Sequence, residues 1–523
     1  MKVLSTTDLG FPDKEALFAE VITSNSNFDG RFFVGVSSTG IYCRTVCSAK
    51  TPRHENCTFF PTAAAAEAAG YRPCLKCRPE LAPDTPATIG MASIPHRAAE
   101  LIKESSTSRN IAQIADELGV SERQLRRVFE DEYGVSPAAY RNTCRLLFAK
   151  SLLTDTDMPI THIAYSCGFS SVRRFNDAFS HQYRMPPSHL RNRAPVSKAE
   201  PHPIVLRVDY RPPFRFDLLL EFLSLRAIEG VEAVKGDTYC RTVKLESSQM
   251  GQAGGQKPRP PTVGWIKVAN HPQKNCLKVT VSPELFSELP LVMVKVRRLF
   301  DVDCLPQTVE EGLADFYGRV PKSRIPGIRI PCCFDGFEMA VRAILGQQVT
   351  VKAANTMAGR VARAFGSPVS LPVEELTTAF PSPLAFCSPD AIEKLGSLGV
   401  VRQRARAICA LAEAICSGEL DIRPGTNIEE AAASLIAIPG IGDWTVQYLL
   451  MRAFDYTDAF PTTDLGVKSA FPDKKEKEIK EFSKLWSPWR SYAVMSLWCT
   501  PHEKPNKPQK PHKQEKESDH AIH

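Results

Sequence analysis

Four cysteines, Cys43, Cys47, Cys74 and Cys77, stand as two close pairs separated by 26 residues, in the strings TGIYCRTVC and YRPCLKCRPE. Thiolates two or three residues apart can share one soft ion, and two such pairs complete a tetrahedron around zinc, which obliges the intervening chain to fold back on itself. A redox pair at Cys74 and Cys77 is the alternative, but it leaves Cys43 and Cys47 idle. The spacing therefore predicts one zinc ion held by all four. Zinc with four thiolates carries a formal charge of about −2, which leaves the sulfurs electron-rich. Arg44, Lys50, Arg53, Arg72, Lys76 and Arg78 lie around them in sequence. Cations at that density can hold a phosphate backbone against the cluster, and Arg44, Arg72 and Lys76 are the expected DNA contacts.

From about Phe28 to Pro83, with this ligand spacing and the string PTAAAAEAAGYRPC, the chain resembles the N-terminal domain of the Ada family of alkyl-phosphotriester acceptors. The resemblance implies that Cys43, first of the four, attacks a methylated phosphate and is spent in one turnover. A thiolate that becomes a neutral thioether removes about one negative charge from a surface facing DNA, so affinity for DNA should rise. Such a site would report damage if a sequence reader were attached.

The next segment repeats itself. IAQIADELGVSERQLRRVFEDEYGVSPAAYR begins at Ile111 and ITHIAYSCGFSSVRRFNDAFSHQYRMPPSHLR at Ile160, with Gly119 and Gly168 49 residues apart. In each copy an apolar stripe, a glycine turn and a second helix fit a helix-turn-helix. In the first copy Ser121 and Gln124 are expected to form a capping box. Leu125, Val128 and Phe129 should face inward, while Arg123, Arg126 and Arg127 face out; in the second copy Arg173, Arg174 and Asn176 take the outward places. Such side chains reach base edges and phosphates. The bland alternative is a pair of helical hairpins with solvated charges. The tandem pattern, from about residue 95 to 193, resembles the AraC-type regulator domain, which implies promoter binding and contact with RNA polymerase.

A chain of 523 residues predicts three or four cores. Its sixteen cysteines would suggest disulfides in a secreted protein, yet no apolar signal segment follows MKVLSTTDLG and no run is long enough to span a membrane. A cytoplasmic, nucleoid-associated monomer with no membrane partner is expected. The formal net charge of +7 is modest for the length, so basic surfaces must be local. NRAPVSKAEPHP reads as a linker, and the Gly-, Gln- and Pro-rich stretch 247–262 as a flexible insertion between strands IVLRVDY, WIKVA and LKVTV of a half-buried sheet. Residues 501–523 read as a disordered tail.

The second half carries different chemistry. In LIAIPGIGDWTVQYLL, Gly440 and Gly442 shape a hairpin whose main-chain N–H groups can approach a DNA phosphate, with a helix N-terminus behind it. Asp464, 22 residues past Gly442, opens a further helix, and alone it would be an ordinary N-cap. In this order, PGIG, Trp-Thr and a capping aspartate resemble the helix-hairpin-helix glycosylase superfamily, which implies that Asp464 is catalytic. Within it, IRIPCCFDGFEMAVRAILGQQVTV and SPWRSYAVMSLW resemble the AlkA-type 3-methyladenine glycosylases over about residues 203 to 499. That likeness places Trp444, Tyr448 and Trp498 in a base pocket, where electron-rich rings suit a cationic alkylated purine. Trp444 stands where lyase-type relatives carry a lysine, implying a monofunctional enzyme that uses water. Gln348 occupies the position of the wedge that fills the stack behind a flipped base. The C-terminal region offers no closely spaced cysteines for an iron cluster, and no PCHR acceptor motif is present in the chain.

The expected architecture is a multidomain α+β chain. It comprises a small zinc-binding α/β domain (1–85), an all-α tandem helix-turn-helix domain (92–193), a small α/β domain (203–320) and an all-α glycosylase domain (321–500). Three activities are expected: phosphotriester methyl acceptance, transcriptional activation and excision of alkylated bases. A regulator with a structural zinc module and an inactive, DNA-binding glycosylase-like half is the alternative. How the domains sit together is left open by linkers that read as flexible.

Overall fold

The computed structural model describes residues 13–84, 93–104, 109–191, 202–246 and 260–500. The expected linker from residue 192, nearly all of the 247–262 insertion and the tail from residue 501 lie outside the described residues.

The first module is a four-stranded sheet in the order β3-β1-β2-β4, with β1 at Phe33–Val36, β2 at Ile41–Cys43, β3 at Cys57–Phe60 and β4 at Arg72–Pro73. β1 pairs antiparallel with β2, setting Val34 opposite Cys43, and β4 runs parallel to β2 with Ile41 opposite Arg72. The parallel pairing delivers Cys74 and Cys77 beside the end of β2. The helix Ala63–Ala68, capped by the Thr62 hydroxyl on the Ala65 N–H, covers the sheet through its small residues.

The two repeats form the helix-turn-helix pairs Ile111–Glu117 with Glu122–Tyr133 and Ile160–Ser166 with Val172–Tyr183. Gly119 and Gly168 both take positive φ, +70° and +79°, so both turns use glycine's left-handed freedom. The Ser121 capping box is only half made: its side chain accepts from the Gln124 N–H, and the reciprocal box belongs to Asn110 and Gln113 one helix earlier. Leu125 and Phe129 are fully buried, and Arg123, Arg126, Arg127, Arg173 and Arg174 face solvent.

Alternating residues then build a five-stranded antiparallel sheet, ordered β5-β9-β8-β7-β6. β5 spans Ile204–Asp209, β6 Glu232–Lys235, β7 Thr238–Leu245, β8 Thr262–His271 and β9 Cys276–Val281. Helices Phe216–Ser224 and Leu289–Leu299 bury their apolar faces with it. From Gly336 onward the chain is largely helical, around one core containing Phe337, Ile344, Leu411, Leu449 and Trp486.

The modules share cores and buried charges. Phe33, Tyr42 and Phe60 of the first sheet pack in one cluster with Ile102 of the helix Ile94–Glu104 and Leu125 and Phe129 of the first repeat. Phe175 and Phe179 of the second repeat share a cluster with Val208, Val279 and Val296 of the five-stranded sheet module. Glu67, fully buried between the first module and the repeats, accepts from the Tyr42 hydroxyl at 3.0 Å, Thr143 Oγ1 at 2.9 Å and the Tyr183 hydroxyl at 3.5 Å. Arg211, 1% exposed, donates to the carbonyls of Asp29, Pro83, Asp84 and Asp303. Arg298 joins Glu100 and Glu104 of the helix Ile94–Glu104, which precedes the first repeat, to Asp455 of the helical half.

Candidate functional site

The sulfurs of Cys43, Cys47, Cys74 and Cys77 all lie within 4.8 Å of one another. Cys43 ends β2 and Cys47 follows the next turn, while Cys74 and Cys77 come from the segment after β4. The Arg44 N–H donates to Cys77 Sγ at 3.4 Å, the kind of bond that quiets an electron-rich sulfur. Hydrogen bonding with Cys47, Cys74 and Cys77, reinforced by burial, pushes the Cys43 thiol far above its ordinary value, whereas the bond with Cys43 chiefly depresses Cys74. Four sulfurs this close cannot all be thiolates unless a cation lies among them, so the donor set fits a soft divalent ion. Cys43 and Cys47 are half-buried and Cys74 is buried.

Arg44 departs from the expectation that it contacts DNA. Its side chain is 5% exposed; Nε donates to Asp29 at 2.8 Å, Nη1 to Asp209 of β5 at 2.9 Å, and Nη2 forms an ion pair with Asp29. Burial opposes its charge, but the two carboxylates outweigh it and hold the guanidinium above its usual value. A cation so satisfied, and so enclosed, has nothing left for a phosphate. Arg78 is likewise committed, to Glu80 and to Asp155 at 2.7 Å. Lys50, Arg53 and Lys76 are exposed and Arg72 is half-exposed. Arg126 shares its guanidinium with Glu130 one turn away, and Arg173 lies 3.9 Å from Asp177. Both remain on exposed helix faces.

In the helical half, Asp464 caps the helix Leu465–Ala470 through the Gly466 N–H at 2.8 Å. Its carboxylate does more than cap. The Trp444 indole N–H donates to Oδ2 at 3.0 Å and the Trp498 indole N–H to Oδ1 at 2.9 Å. Trp444 and Tyr448, one turn apart on the helix Asp443–Ala453, stack with centroids 5.1 Å apart at 15°, and Tyr448 lies 6.0 Å from Trp498. The three residues that sequence placed together are together, around one half-buried acid.

Two neighbours were not legible from motifs. Phe222, on the helix Phe216–Ser224 of the preceding module, stacks nearly parallel to Trp498 at 6.2 Å and 16°. Arg452, 1% exposed, donates to the Tyr448 hydroxyl at 2.8 Å and lies 4.9 Å over the Phe222 ring. Phe222 reads in sequence as one apolar residue among many. Only the packing of one module on the other brings it to the Trp498 ring; Arg452 lies one further turn along from Tyr448, and that i, i+4 spacing is the available signal.

The hairpin Pro439–Gly442 precedes this helix. Gly440 has φ +96°, which favours glycine, and a Cβ there would also crowd that of Ala407 at 3.2 Å. Gly442 is the exposed N-cap and makes no side-chain cap bond; a Cβ on it would meet open space. Between the helices Gly336–Leu345 and Val351–Phe365, Gln348 is exposed with φ +53°.

A four-thiol centre, a tandem helix-turn-helix reader and a carboxylate bonded to an aromatic cluster behind a glycine hairpin define a DNA-binding repair protein with a regulatory half. Four family descriptions match in succession: the metal binding domain of Ada over residues 16–80, a helix-turn-helix domain over 96–193, the AlkA N-terminal domain over 205–335, and the HhH-GPD superfamily base excision DNA repair proteins over 341–490. A Mycobacterium tuberculosis (strain CDC 1551 / Oshkosh) protein named "Probable bifunctional transcriptional activator/DNA repair enzyme AlkA" is 34% identical over 499 residues, spanning 93% of this chain and 96% of that one. DNA-3-methyladenine glycosylase 2 of Escherichia coli (strain K12) is 32% identical over 57% of this chain and 98% of its own length. The bifunctional transcriptional activator/DNA repair enzyme Ada of the same organism is 35% identical over 24% of this chain and 34% of its own.

The chain belongs to the family of bifunctional Ada/AlkA-type transcriptional activators and DNA repair enzymes. It is a zinc-binding, DNA-binding protein with an AraC-type reader and a DNA glycosylase half. Among the described residues no helix is long and apolar enough to cross a membrane.

Proposed function

We propose that this protein accepts a methyl group from DNA methylphosphotriesters at Cys43, activates transcription through its tandem reader, and excises alkylated bases such as 3-methyladenine at Asp464. The observation that carries the excision reading is the Asp464 carboxylate, held by two indole N–H groups at the edge of an aromatic cluster. Oδ1 accepts from both the Gly466 and the Trp498 N–H while Oδ2 accepts from Trp444 alone, and a fixed negative charge there stabilises the oxocarbenium that develops as the N-glycosidic bond breaks, or orients the attacking water through Oδ2. Trp444, Tyr448 and Trp498 supply ring faces for a flipped cationic base. Trp444 cannot form a Schiff base, so the glycosylase is monofunctional and leaves the abasic strand intact. Gln348 fills the vacated stack, while Gly440, Gly442 and the helix behind them hold a phosphate.

At the other end, one zinc ion bound by the four cysteines would keep them as thiolates. Cys43 Sγ attacks the methyl carbon of the triester, the methyl–oxygen bond breaks, and the phosphodiester leaves as an anion. One negative charge disappears from the sulfur cluster, repulsion toward DNA falls, and Arg72, Lys76 and the reader's Arg123, Arg126, Arg127, Arg173 and Arg174 bind more tightly. We place RNA polymerase as the partner of the bound activator, which works as a nucleoid-associated monomer.

Two experiments test the reading. Wild-type protein should release 3-methyladenine from methylated DNA and Asp464→Asn should not; equal release would remove Asp464 from catalysis. After exposure to methylphosphotriester DNA, intact mass should rise by a single methyl that is absent in Cys43→Ala. No methyl on the wild type would leave the cluster purely structural.

A further inference from the structure

The turn between the helices Gly336–Leu345 and Val351–Phe365 holds two adjacent glutamines with opposite dispositions. Gln348 faces solvent in a left-handed conformation that a residue with a Cβ adopts only when neighbours hold it there. Gln347 is half-buried and turns inward. Its Nε2 donates to the Gly440 carbonyl at 3.0 Å and to Thr445 Oγ1 at 3.0 Å, using both amide protons. Its main-chain carbonyl accepts from Arg404 Nη2, and Arg404 Nη1 reaches the Leu345 main-chain carbonyl at 3.5 Å.

These bonds join three parts with different tasks. Gly440 is the apex of the phosphate-facing hairpin. Thr445, 2% exposed, follows Trp444, whose indole holds Asp464. The turn itself presents Gln348. We infer that Gln347 is a positioning residue that locks the wedge turn to the hairpin and to the pocket helix, so that stack filling, phosphate grip and base capture occur in one fixed geometry. The inference rests on the glycosylase reading proposed above. Gln347 touches no reacting atom in this role; it sets where Gln348 and Trp444 stand relative to each other.

The test uses the full chain with Gln347→Met, which keeps length and loses both donors, and with Thr445→Val and Thr445→Ser. Single-turnover release of 3-methyladenine is measured beside the fluorescence of 2-aminopurine placed next to the lesion, which reports unstacking. Leaving the half-buried Gly440 carbonyl and the buried Thr445 hydroxyl without this donor should slow base release about tenfold in Gln347→Met. The unstacking signal should fall in parallel, while affinity for undamaged duplex stays within about twofold of wild type. Thr445→Val should slow release less, Thr445→Ser should restore it, and the Gln347→Met/Thr445→Val double variant should be no slower than Gln347→Met alone.

Wild-type unstacking and release in Gln347→Met would overturn the inference, as would full additivity in the double variant. If Gln347→Met loses its melting transition, the Thr445→Val and Thr445→Ser pair decides alone: release slowed in the first and restored in the second supports the lock, and equal release in both refutes it. A wild type that releases no base defeats the parent reading instead. In that case unstacking by wild type and its loss in Gln347→Met would still support the positioning role, and unstacking equal in the two would end it.

Discussion

Replacing Glu67 by glutamine should make the protein less sensitive to alkaline pH. Glu67 is fully enclosed where the first sheet meets the repeats, and burial raises its carboxyl from 4.5 to about 8, despite the opposing bonds from Thr143, Tyr42 and Tyr183 and the attraction of Lys150. The folded state therefore holds a proton that the unfolded chain releases at much lower pH. Between these two values the native state binds more protons, so stability falls as pH rises. The contribution is complete below about pH 4.5 and lost through about pH 8. At 1.36 kcal/mol per unit, the interval corresponds to an upper limit of about 5 kcal/mol. Glutamine keeps the shape, still accepts from Tyr42, and cannot ionise. Thermal melts of wild type and Glu67→Gln from pH 5.5 to 8.5 should diverge, with the variant relatively more stable toward high pH. A carboxyl C=O infrared band present in wild type at neutral pH should be missing from the variant. A melting difference that does not change with pH, together with no such band, would refute a protonated Glu67.

Three other outcomes follow from single contacts. Asp209→Asn removes one of the two carboxylates around buried Arg44 and should cost about 3 kcal/mol or somewhat less, since Asp29 remains; a shift in the urea midpoint with an unchanged slope would register it. Gly440→Ala meets a left-handed φ and a 3.2 Å contact with Ala407, so it should lower stability by about 1–2 kcal/mol and weaken binding to abasic DNA, as melting and fluorescence anisotropy can show. Trp444→Phe keeps an aromatic face, smaller than the indole, but removes the N–H donor to Asp464, and single-turnover base release should slow by about tenfold or more.

Much of the architecture could be read in advance because its signals are local. Cysteine spacing, the glycine-centred repeat, the period-two strands and the hairpin-to-aspartate order each lie within a few tens of residues. The stacked rings of Trp444 and Tyr448 follow from one helical turn. What escaped depends on distant parts meeting. Arg44 looked like a DNA contact because its partners, Asp29 and Asp209, are 15 and 165 residues away, and nothing near it in sequence announces a buried acid. Phe222 joins Trp498 only because two modules pack together. The Ser121 box failed for a smaller reason: the glutamine that could close it makes no return bond, and the box falls one helix earlier.

Both chain neighbours of Cys43 are buried and fastened to other modules, Tyr42 through Glu67 to the repeats and Arg44 to the strand carrying Asp209. The first eighty residues are thus a poor cassette. Grafted onto a foreign host they would keep the Arg44–Asp29 and Tyr42–Glu67 contacts but lose the outer partners of Arg44 and Glu67, so a transplant that preserves these interior bonds has to bring Thr143, Tyr183 and Asp209 along.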